Sequence, residues 1–137
     1  MDIETNQDNI NTLLPFLELQ NLLNTVVERE SKDDFLTFVR LMAPTLVSDW
    51  KMGKHIEVIS NKLNQLESGE IKRLMVFLPP RSSKSVICSK LFPAWYIGRH
   101  PEHEILTVSH SDQLSSDFGR SVRDLVNDEK FQSIFKG

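Results

Sequence analysis

The feature that most constrains this chain is a short apolar run that ends at two consecutive prolines. Residues 74–78 read LMVFL, and Pro79 and Pro80 follow at once. Proline has a fixed φ and no backbone N–H, so neither a helix interior nor a central strand continues through such a pair. A continuous apolar run of this length is typical of a strand that is buried on both faces of a parallel sheet. The run therefore predicts a strand that gives way to a loop at Pro79.

The polar segment after the prolines ends like a phosphate-binding loop. Residues 81–85 read RSSKS, so Lys84 and Ser85 supply the last two letters of the pattern G-x-x-x-x-G-K-[ST]. Leu78 and Ser83 stand where that pattern has its two glycines. Glycine frees the backbone to curl its N–H groups around phosphate oxygens. Serine restricts this freedom without forbidding it, because a small side chain can point away from the ligand.

Each residue of this loop has a chemical role in such a site. We predict that Lys84 neutralises the β- and γ-phosphates of ATP and that the Ser85 hydroxyl ligates Mg²⁺. Arg81 is a second cation for the γ-phosphate, so Lys84 and Arg81 are the candidate catalytic residues. A helix that begins at Ser85 would direct unpaired N–H groups at the anion. The predicted cofactor-binding residues of the loop are Pro80, Arg81, Ser82, Ser83, Lys84 and Ser85. A plain polar turn is the alternative interpretation.

The periodicity along the chain predicts three regions. Residues 1–12 lack apolar periodicity and are predicted to be a flexible tail. Residues 13–69 are predicted to form an N-terminal helical segment, in which Ser31 opens a helix that ends at Pro44. Residues 70–137 alternate strand, loop, helix, strand and helix, with the second strand at residues 104–108. This order predicts an α/β fold with a P-loop NTPase-like βαβ core and parallel strands, preceded by helices.

The composition is that of an ordinary soluble globular protein. Hydrophobic residues make up 39% of the 137 residues and charged residues 26%, which argues against a disordered chain. The net charge of -3 gives no global reason to expect nucleic-acid binding, although it does not exclude a local basic face. Cys88 is the only cysteine, so no internal disulfide is expected. The N-terminus is unlike a signal peptide and no apolar segment approaches the roughly 20 residues of a membrane helix, so we expect a cytosolic protein.

The loop and a later helix together resemble a known family. The segment RLMVFLPPRSSKSVICSKLFPAWYIGRHPEHEILTVSHSDQLSSDFGRSVRDLVND is similar to the start of the ATPase domain of tailed-bacteriophage terminase large subunits, the motors that package viral DNA. The residues that carry the resemblance are Pro79, Pro80, Arg81, Lys84, Ser85, Ser109, Ser111, Phe118, Gly119, Arg120 and Arg123. The similarity covers roughly residues 35–135. The family usually has glycine at the position of Ser83.

The resemblance implies a function, cofactors and partners. The full-length protein would hydrolyse ATP with Mg²⁺ to drive double-stranded viral DNA into a procapsid, in the cytoplasm of the infected bacterial host. It would work as a homo-oligomeric ring with the terminase small subunit and the portal as partners, and without a membrane. The stretch WKMGKHIEVISNKL resembles the family's adenine-side segment, which points to Trp50 and His55 as cofactor-binding residues. The alternative interpretations are a surface or half-buried histidine and a core tryptophan.

The chain lacks the hydrolytic residues that such an enzyme needs. No apolar run ends in an Asp–Glu pair, and no carboxylate cluster for a nuclease is visible. We therefore expect an incomplete ATPase domain, truncated before Walker B and the nuclease domain, that does not turn over ATP by itself. One alternative is a non-enzymatic interaction module with a vestigial loop, in which the helices of residues 13–66 dock a packaging partner. Another is a different P-loop ATPase, such as a helicase or recombinase relative.

Three further groups of side chains have open interpretations. Arg120 and Arg123 lie one helical turn apart, and would either face DNA or a neighbouring nucleotide or form a solvated face paired with Asp117 and Asp124. The sequence disfavours metal binding by its remaining histidines, because neither cysteine partners nor an HExxH-type spacing accompany them. These histidines are His100, His103 and His110. Cys88 is interpreted as a small apolar residue on a buried helix face.

Overall fold

The computed structural model describes the backbone of residues 4–136 and the side chains of residues 13–136. Its elements in chain order are α1 Glu4–Asp33, α2 Phe35–Leu46, α3 Lys54–Glu67, α4 Lys84–Val86, a π-helical segment Ile87–Leu91, α5 Phe92–Arg99, α6 Asp112–Val126 and α7 Glu129–Phe135. The predicted flexible tail, residues 1–12, lies partly outside the described residues, and α1 begins at Glu4.

The predicted α/β fold is wrong, because the regular secondary structure of residues 4–136 is entirely helical and includes no strand. Both predicted strands, residues 74–78 and 104–108, have no regular secondary structure. A buried parallel strand needs a neighbouring strand to bond its backbone and a covering layer on each face. Neither segment has a partner strand, so no βαβ unit forms within the described part of the chain. The helices, both N-terminal to the loop and after it, are the part of the predicted architecture that the structure contains.

The apolar run at residues 74–78 is covered on one side only. Leu74, Val76 and Leu78 pack against the helical core. The side chains between them, Met75 and Phe77, are 79% and 81% exposed. The run is thus half-buried with alternating sides, because the helices provide one apolar surface and no second layer covers the other. Residues 104–108 are more exposed still, with Leu106 at 88% and Val108 at 81%.

The core is an aromatic and aliphatic cluster between α2, α3, the π-helical segment, α5, α6 and α7. Its centre is Trp95, which has no solvent exposure and whose ring centroid lies 5.2 Å from that of Phe35. The fully or nearly fully buried apolar residues are Phe35, Phe38, Val39, Met42, Ala43, Ile56, Ile59, Leu63, Ile87, Leu91, Ala94, Trp95, Leu125, Phe131 and Ile134. Apolar burial of this kind is the main stabilising term for a helical domain.

A single residue, Asp34, separates α1 from α2 and is the N-cap of the second helix. Its backbone is extended, with φ -121 and ψ 117, and its carboxylate accepts hydrogen bonds from Thr37 N at 2.8 Å and from Thr37 Oγ1 at 2.8 Å. The prediction that Ser31 opens this helix is wrong. Ser31 lies buried inside α1, where its hydroxyl donates to the carbonyl of Glu28 at 2.7 Å. Burial fixes Ser31 in α1, so the cap falls three residues later.

Side chains from other helices complete this junction. The N–H of Phe35 donates to Asn64 Oδ1 at 3.0 Å instead of to the preceding turn of α1. The carbonyl of Ser31, left without that donor, accepts from Trp95 Nε1 at 3.0 Å. The carbonyl of Lys32 accepts from Arg99 Nη1 at 2.6 Å. Helix ends leave such backbone groups unpaired, so α3 and α5 stabilise the break between α1 and α2.

Residues 84–99 are helical throughout, and the chain accommodates Pro93 without a break. Proline removes one N–H from the helical ladder. The π-helical segment Ile87–Leu91 precedes it, and the N–H of Phe92 donates to the carbonyl of Ile87, five residues earlier. The wider turn makes room for the proline ring. The predicted helix that begins at Ser85 is therefore present, with its start one residue earlier, at Lys84, and its end at Arg99.

None of the helices between residues 4 and 136 is long and apolar enough to cross a membrane. Helix α1 has the length but not the apolar content, since it spans 30 residues with many polar side chains.

Candidate functional site

The loop from Pro79 to Ser85 has the backbone conformation of an anion-binding turn. Ser83 adopts φ 59 and ψ 13, in the left-handed region, and Arg81 also has a positive φ of 62. A left-handed residue costs about 1–2 kcal/mol unless it is glycine. Ser83 thus takes the conformation for which the phosphate-loop pattern uses glycine. A left-handed residue next to a helical one directs successive N–H groups into one concavity, and such concavities bind anions.

The loop encloses a small open cup. The cup has a volume of about 270 Å³. Its lining residues are Leu78, Pro79, Pro80, Arg81, Ser82, Lys84 and Ser85. The Ser82 hydroxyl donates to the carbonyl of Pro79 at 2.6 Å, which holds the turn closed. Five of the six residues that the sequence assigns to phosphate binding therefore line one cavity, and the sixth, Ser83, sets its backbone.

The electrostatics of the cup favour an anion. The ion pairs among the described side chains involve neither Arg81 nor Lys84. Both side chains are exposed, and helix α4 begins at Lys84, so the helix dipole adds positive potential at the same place. Ser85 is also exposed, which leaves its hydroxyl accessible to an ion. Two cations without an ion pair and an exposed hydroxyl are groups that suit a phosphate chain with a bound Mg²⁺.

A second, mostly apolar groove adjoins the cup. Its volume is about 370 Å³, and its lining residues are His55, Val58, Ile59, Lys62 and residues 74–78. Leu78 lines both the groove and the cup. An apolar groove with a few polar groups at one end is typical of small-molecule sites. His55 lines the groove that shares Leu78 with the cup.

Trp50 lies elsewhere. It does not line either cavity; it packs against the core, and its Nε1 donates to Met52 Sδ at 3.2 Å. The structure therefore brings His55 to the loop but not Trp50.

The single cysteine, Cys88, is half-buried one turn beyond the loop. Burial raises the pKa of its thiol, although the nearby charge of Lys84 works in the opposite direction.

The residues of the family resemblance beyond the loop have local structural roles. Ser111 is the N-cap of α6, and its hydroxyl accepts from Leu114 N at 3.3 Å. The Ser109 hydroxyl donates to the Ser111 carbonyl at 2.6 Å. The serine-rich turn therefore starts α6. Phe118 and Gly119 follow on that helix, with Gly119 exposed.

The two arginines of α6 form surface ion pairs. Arg120 Nη1 lies 3.1 Å from Asp117 Oδ1, and Arg123 Nη2 lies 3.1 Å from Asp124 Oδ1. The solvated, paired face is confirmed for both arginines. Surface pairs of this kind contribute little to stability.

Sequence reasoning missed a polar cluster at the end of α5. Glu67 Oε1 accepts from Arg99 Nε at 2.9 Å and lies 2.8 Å from His100 Nε2. Burial works to raise the pKa of the Glu67 carboxyl, but the hydrogen bonds and charges of His100 and Arg99 outweigh it and hold this pKa below its ordinary value. The sequence signal was the His-Pro-Glu-His turn, since proline at its second position predicts that the two histidines approach each other. Glu67 itself has no local signal, because it is 33 residues away.

Comparison of the chain with models of known protein families, with curated proteins and with solved structures finds no match.

Proposed function

We propose that the cup formed by residues 78–85 binds the phosphate groups of ATP, and that the chain is the ATP-binding portion of a viral DNA-packaging motor. One observation carries the first part of this proposal. Ser83 adopts the left-handed conformation, with φ 59, at the position where phosphate loops have glycine. Ordinary turns of some types also contain a positive φ, but here the left-handed residue lies immediately before the lysine and serine of the loop, at the start of a helix, where an anion-binding concavity needs it. The proposal rests on the loop and its helix, and not on a sheet.

Each side chain of the cup has a defined task in this proposal. Lys84 and Arg81 neutralise phosphate charge, and the backbone N–H groups at the start of α4 donate to phosphate oxygens. The Ser85 hydroxyl is a ligand for Mg²⁺, which when bound shields the charge between neighbouring phosphates. The groove beside His55 receives the adenine. The cup and the groove together have the size that a ligand of this class fills.

The biological setting follows from the family resemblance alone. In this proposal the chain acts in the cytoplasm of the infected bacterial host, on double-stranded viral DNA, as part of a homo-oligomeric ring. The terminase small subunit and the portal are its partners. ATP hydrolysis by the full-length protein drives translocation of the DNA into the procapsid.

The test is a titration of the purified chain with a fluorescent ATP analogue in the presence of Mg²⁺. Lys84→Ala removes one charged hydrogen-bond donor to phosphate, which is worth roughly 1.5–3 kcal/mol, so we expect affinity to fall about 10- to 150-fold. Lys72→Ala is the matched control, because Lys72 is equally exposed and lines neither cavity. It should leave affinity unchanged. Absence of binding by the unmodified chain, or equal losses in both variants, would refute the proposal.

Ser85→Ala separates the role of Mg²⁺ from that of phosphate. This variant should bind ATP without Mg²⁺ as well as the unmodified chain does, and should lose the additional affinity that Mg²⁺ provides. An unchanged response to Mg²⁺ would remove Ser85 from the site.

A second candidate function has its own supporting observation. Helix α1 exposes nine large apolar side chains between residues 13 and 27, each between 38% and 65% accessible. These side chains are Leu13, Leu14, Phe16, Leu17, Leu19, Leu22, Leu23, Val26 and Val27. Such a surface is typical of a contact site for another protein. On this reading α1 docks a packaging partner and the loop is vestigial. The nucleotide titration discriminates the two, since the second candidate predicts no ATP binding and no effect of Lys84→Ala.

A further inference from the structure

A tight turn at the end of α5 brings three ligand-type side chains together. The N–H of His103 donates to the carbonyl of His100 at 3.0 Å, which closes a four-residue turn with Pro101 in its second position. Proline presets the φ that this position needs. One nitrogen or oxygen atom from each of His100, Glu102 and His103 lies within 4.8 Å of the other two. The turn itself therefore produces the cluster.

The spacing of these atoms is close to that of a metal site. His100 Nδ1 lies 4.0 Å from Glu102 Oε1, and His103 Nε2 lies 3.6 Å from the same oxygen. In a tetrahedral Zn²⁺ site with bonds of about 2.0–2.1 Å, neighbouring ligand atoms are about 3.3 Å apart. The distances of 4.0 and 3.6 Å exceed this value by about 0.7 and 0.3 Å. Glu102, whose side chain is 66% exposed, is free to rotate toward the histidines, and the cluster, whose ligand atoms lie within 4.8 Å of one another, contracts on binding. The two imidazole rings stack with centroids 5.0 Å apart.

The other nitrogen of each ring already has a partner. His100 Nε2 lies 2.8 Å from Glu67 Oε1, and His103 Nδ1 lies 3.0 Å from the Tyr96 hydroxyl. When Nε2–H of His100 donates to Glu67, Nδ1 carries a free lone pair. When Nδ1–H of His103 donates to Tyr96, Nε2 carries one. Both free nitrogens then lie on the side of Glu102. The Glu67 carboxylate, which only accepts, selects this tautomer of His100, and the Tyr96 hydroxyl is compatible with this tautomer of His103.

The outer partners are themselves fixed. The Glu67 side chain is only 10% exposed and accepts a second hydrogen bond from Arg99 Nε at 2.9 Å. A buried carboxylate that accepts the second N–H of a histidine is the common outer shell of metal-binding histidines, where it orients the ring and raises its basicity. A turn that only faces solvent does not need hydrogen-bond partners that hold two imidazole rings in the same orientation.

We propose that His100, Glu102 and His103 bind a divalent transition-metal ion, with Zn²⁺ as the occupant. Two imidazoles and one carboxylate suit Zn²⁺, whereas Mg²⁺ prefers oxygen ligands alone. The fourth position is filled by water. Glu67 and Tyr96 are positioning residues. The bound ion ties the end of α5 to the segment that follows and, through Glu67, to the end of α3. This site is independent of the ATP site, since it shares no residue with the cup or the groove.

The test is isothermal titration of the untagged chain with ZnCl₂ in a buffer without chelating components. We expect one Zn²⁺ per chain. His103→Ala should lower the affinity at least tenfold, while His110→Ala, which removes an exposed histidine seven residues away, should leave it unchanged. Far-UV circular dichroism of each variant confirms that the helices are retained.

Two further measurements distinguish a preformed metal site from weak binding of Zn²⁺ by exposed surface residues. Glu67→Gln keeps the shape of the side chain but weakens the outer hydrogen bond, so we expect a 10- to 100-fold loss of affinity. Co²⁺ in place of Zn²⁺ should give the intense visible absorption of a tetrahedral site, and His103→Ala should abolish it. Absence of Zn²⁺ binding, or equal losses in the His103→Ala and His110→Ala variants, would overturn the proposal.

Discussion

The left-handed conformation of Ser83 predicts opposite effects for two neighbouring Ser→Gly substitutions. Ser83→Gly removes a left-handed strain of about 1–2 kcal/mol. The gain is partly offset by about 0.4–1 kcal/mol, because glycine is more flexible in the unfolded chain. The net expectation is a rise in the free energy of unfolding of roughly 0.5–1 kcal/mol. Ser83→Val should lower it by roughly 1–3 kcal/mol, since a β-branched residue is strongly disfavoured at φ 59.

Ser82 is the matched control for this prediction. It lies in the same loop, but its φ is not positive and its hydroxyl donates to the Pro79 carbonyl at 2.6 Å. Ser82→Gly should therefore destabilise the protein, by roughly 1–2 kcal/mol from flexibility and the lost hydrogen bond. Urea denaturation with linear extrapolation measures all three variants, and an unchanged m-value shows that only stability has changed. If Ser83→Gly destabilises the protein as much as Ser82→Gly does, the left-handed assignment of Ser83 is wrong.

Two other predictions concern the junction between α1 and α2. Trp95→Phe should lower the free energy of unfolding by about 2–4 kcal/mol, because it leaves the buried Ser31 carbonyl unpaired and opens a void in the core; a loss below about 1 kcal/mol in urea denaturation would contradict this. Burial works to raise the pKa of Asp34, but hydrogen bonds from Thr37, Asn64 and Leu36 outweigh it and hold the pKa below the ordinary 3.8. Its folded pKa is lower than its unfolded one, so its charge stabilises the protein above pH 3.8 and this contribution is lost as the pH falls through the folded pKa. Asp34→Asn, which keeps a capping side chain but does not titrate, should flatten the decline of thermal stability below pH 3.8, and an unchanged decline would exclude Asp34 as a contributor.

The helices could be predicted in large part because their signals are local. The spacing of Phe35, Phe38 and Met42 gives α2 its buried face, and Ser68 with Gly69 ends α3 in a turn, where Gly69 has φ 77. Periodicity of 3.6 residues and the φ preference of glycine act within a few residues of the chain. The cap of α2 was misplaced because Ser31 and Asp34 are both good caps. Only the burial of Ser31 under Trp95 decides between them.

The two strand predictions were wrong for a physical reason. An apolar run of five residues is stable as a strand only when neighbouring strands pair with its backbone and two layers cover its faces. Nothing within residues 74–78 contains that information. The helices cover Leu74, Val76 and Leu78 and leave Met75 and Phe77 exposed. The sequence pattern shows only that residues 74–78 are apolar. The absence of a partner strand in the described chain decided their conformation.

By itself, the sequence determined which cations and hydroxyls lie in the loop at residues 79–85, and it contained the local signal for the turn at residues 100–103, because residue type and close spacing control both. Arg81, Lys84 and Ser85 lie within five consecutive residues, and Pro101 lies between His100 and His103. Tertiary structure alone decided that Ser83 adopts the conformation of a glycine, that Leu78 joins the cup to the groove of His55, and that Glu67 supports His100 from 33 residues away. These relations depend on packing between helices, which brings together residues that local spacing cannot connect.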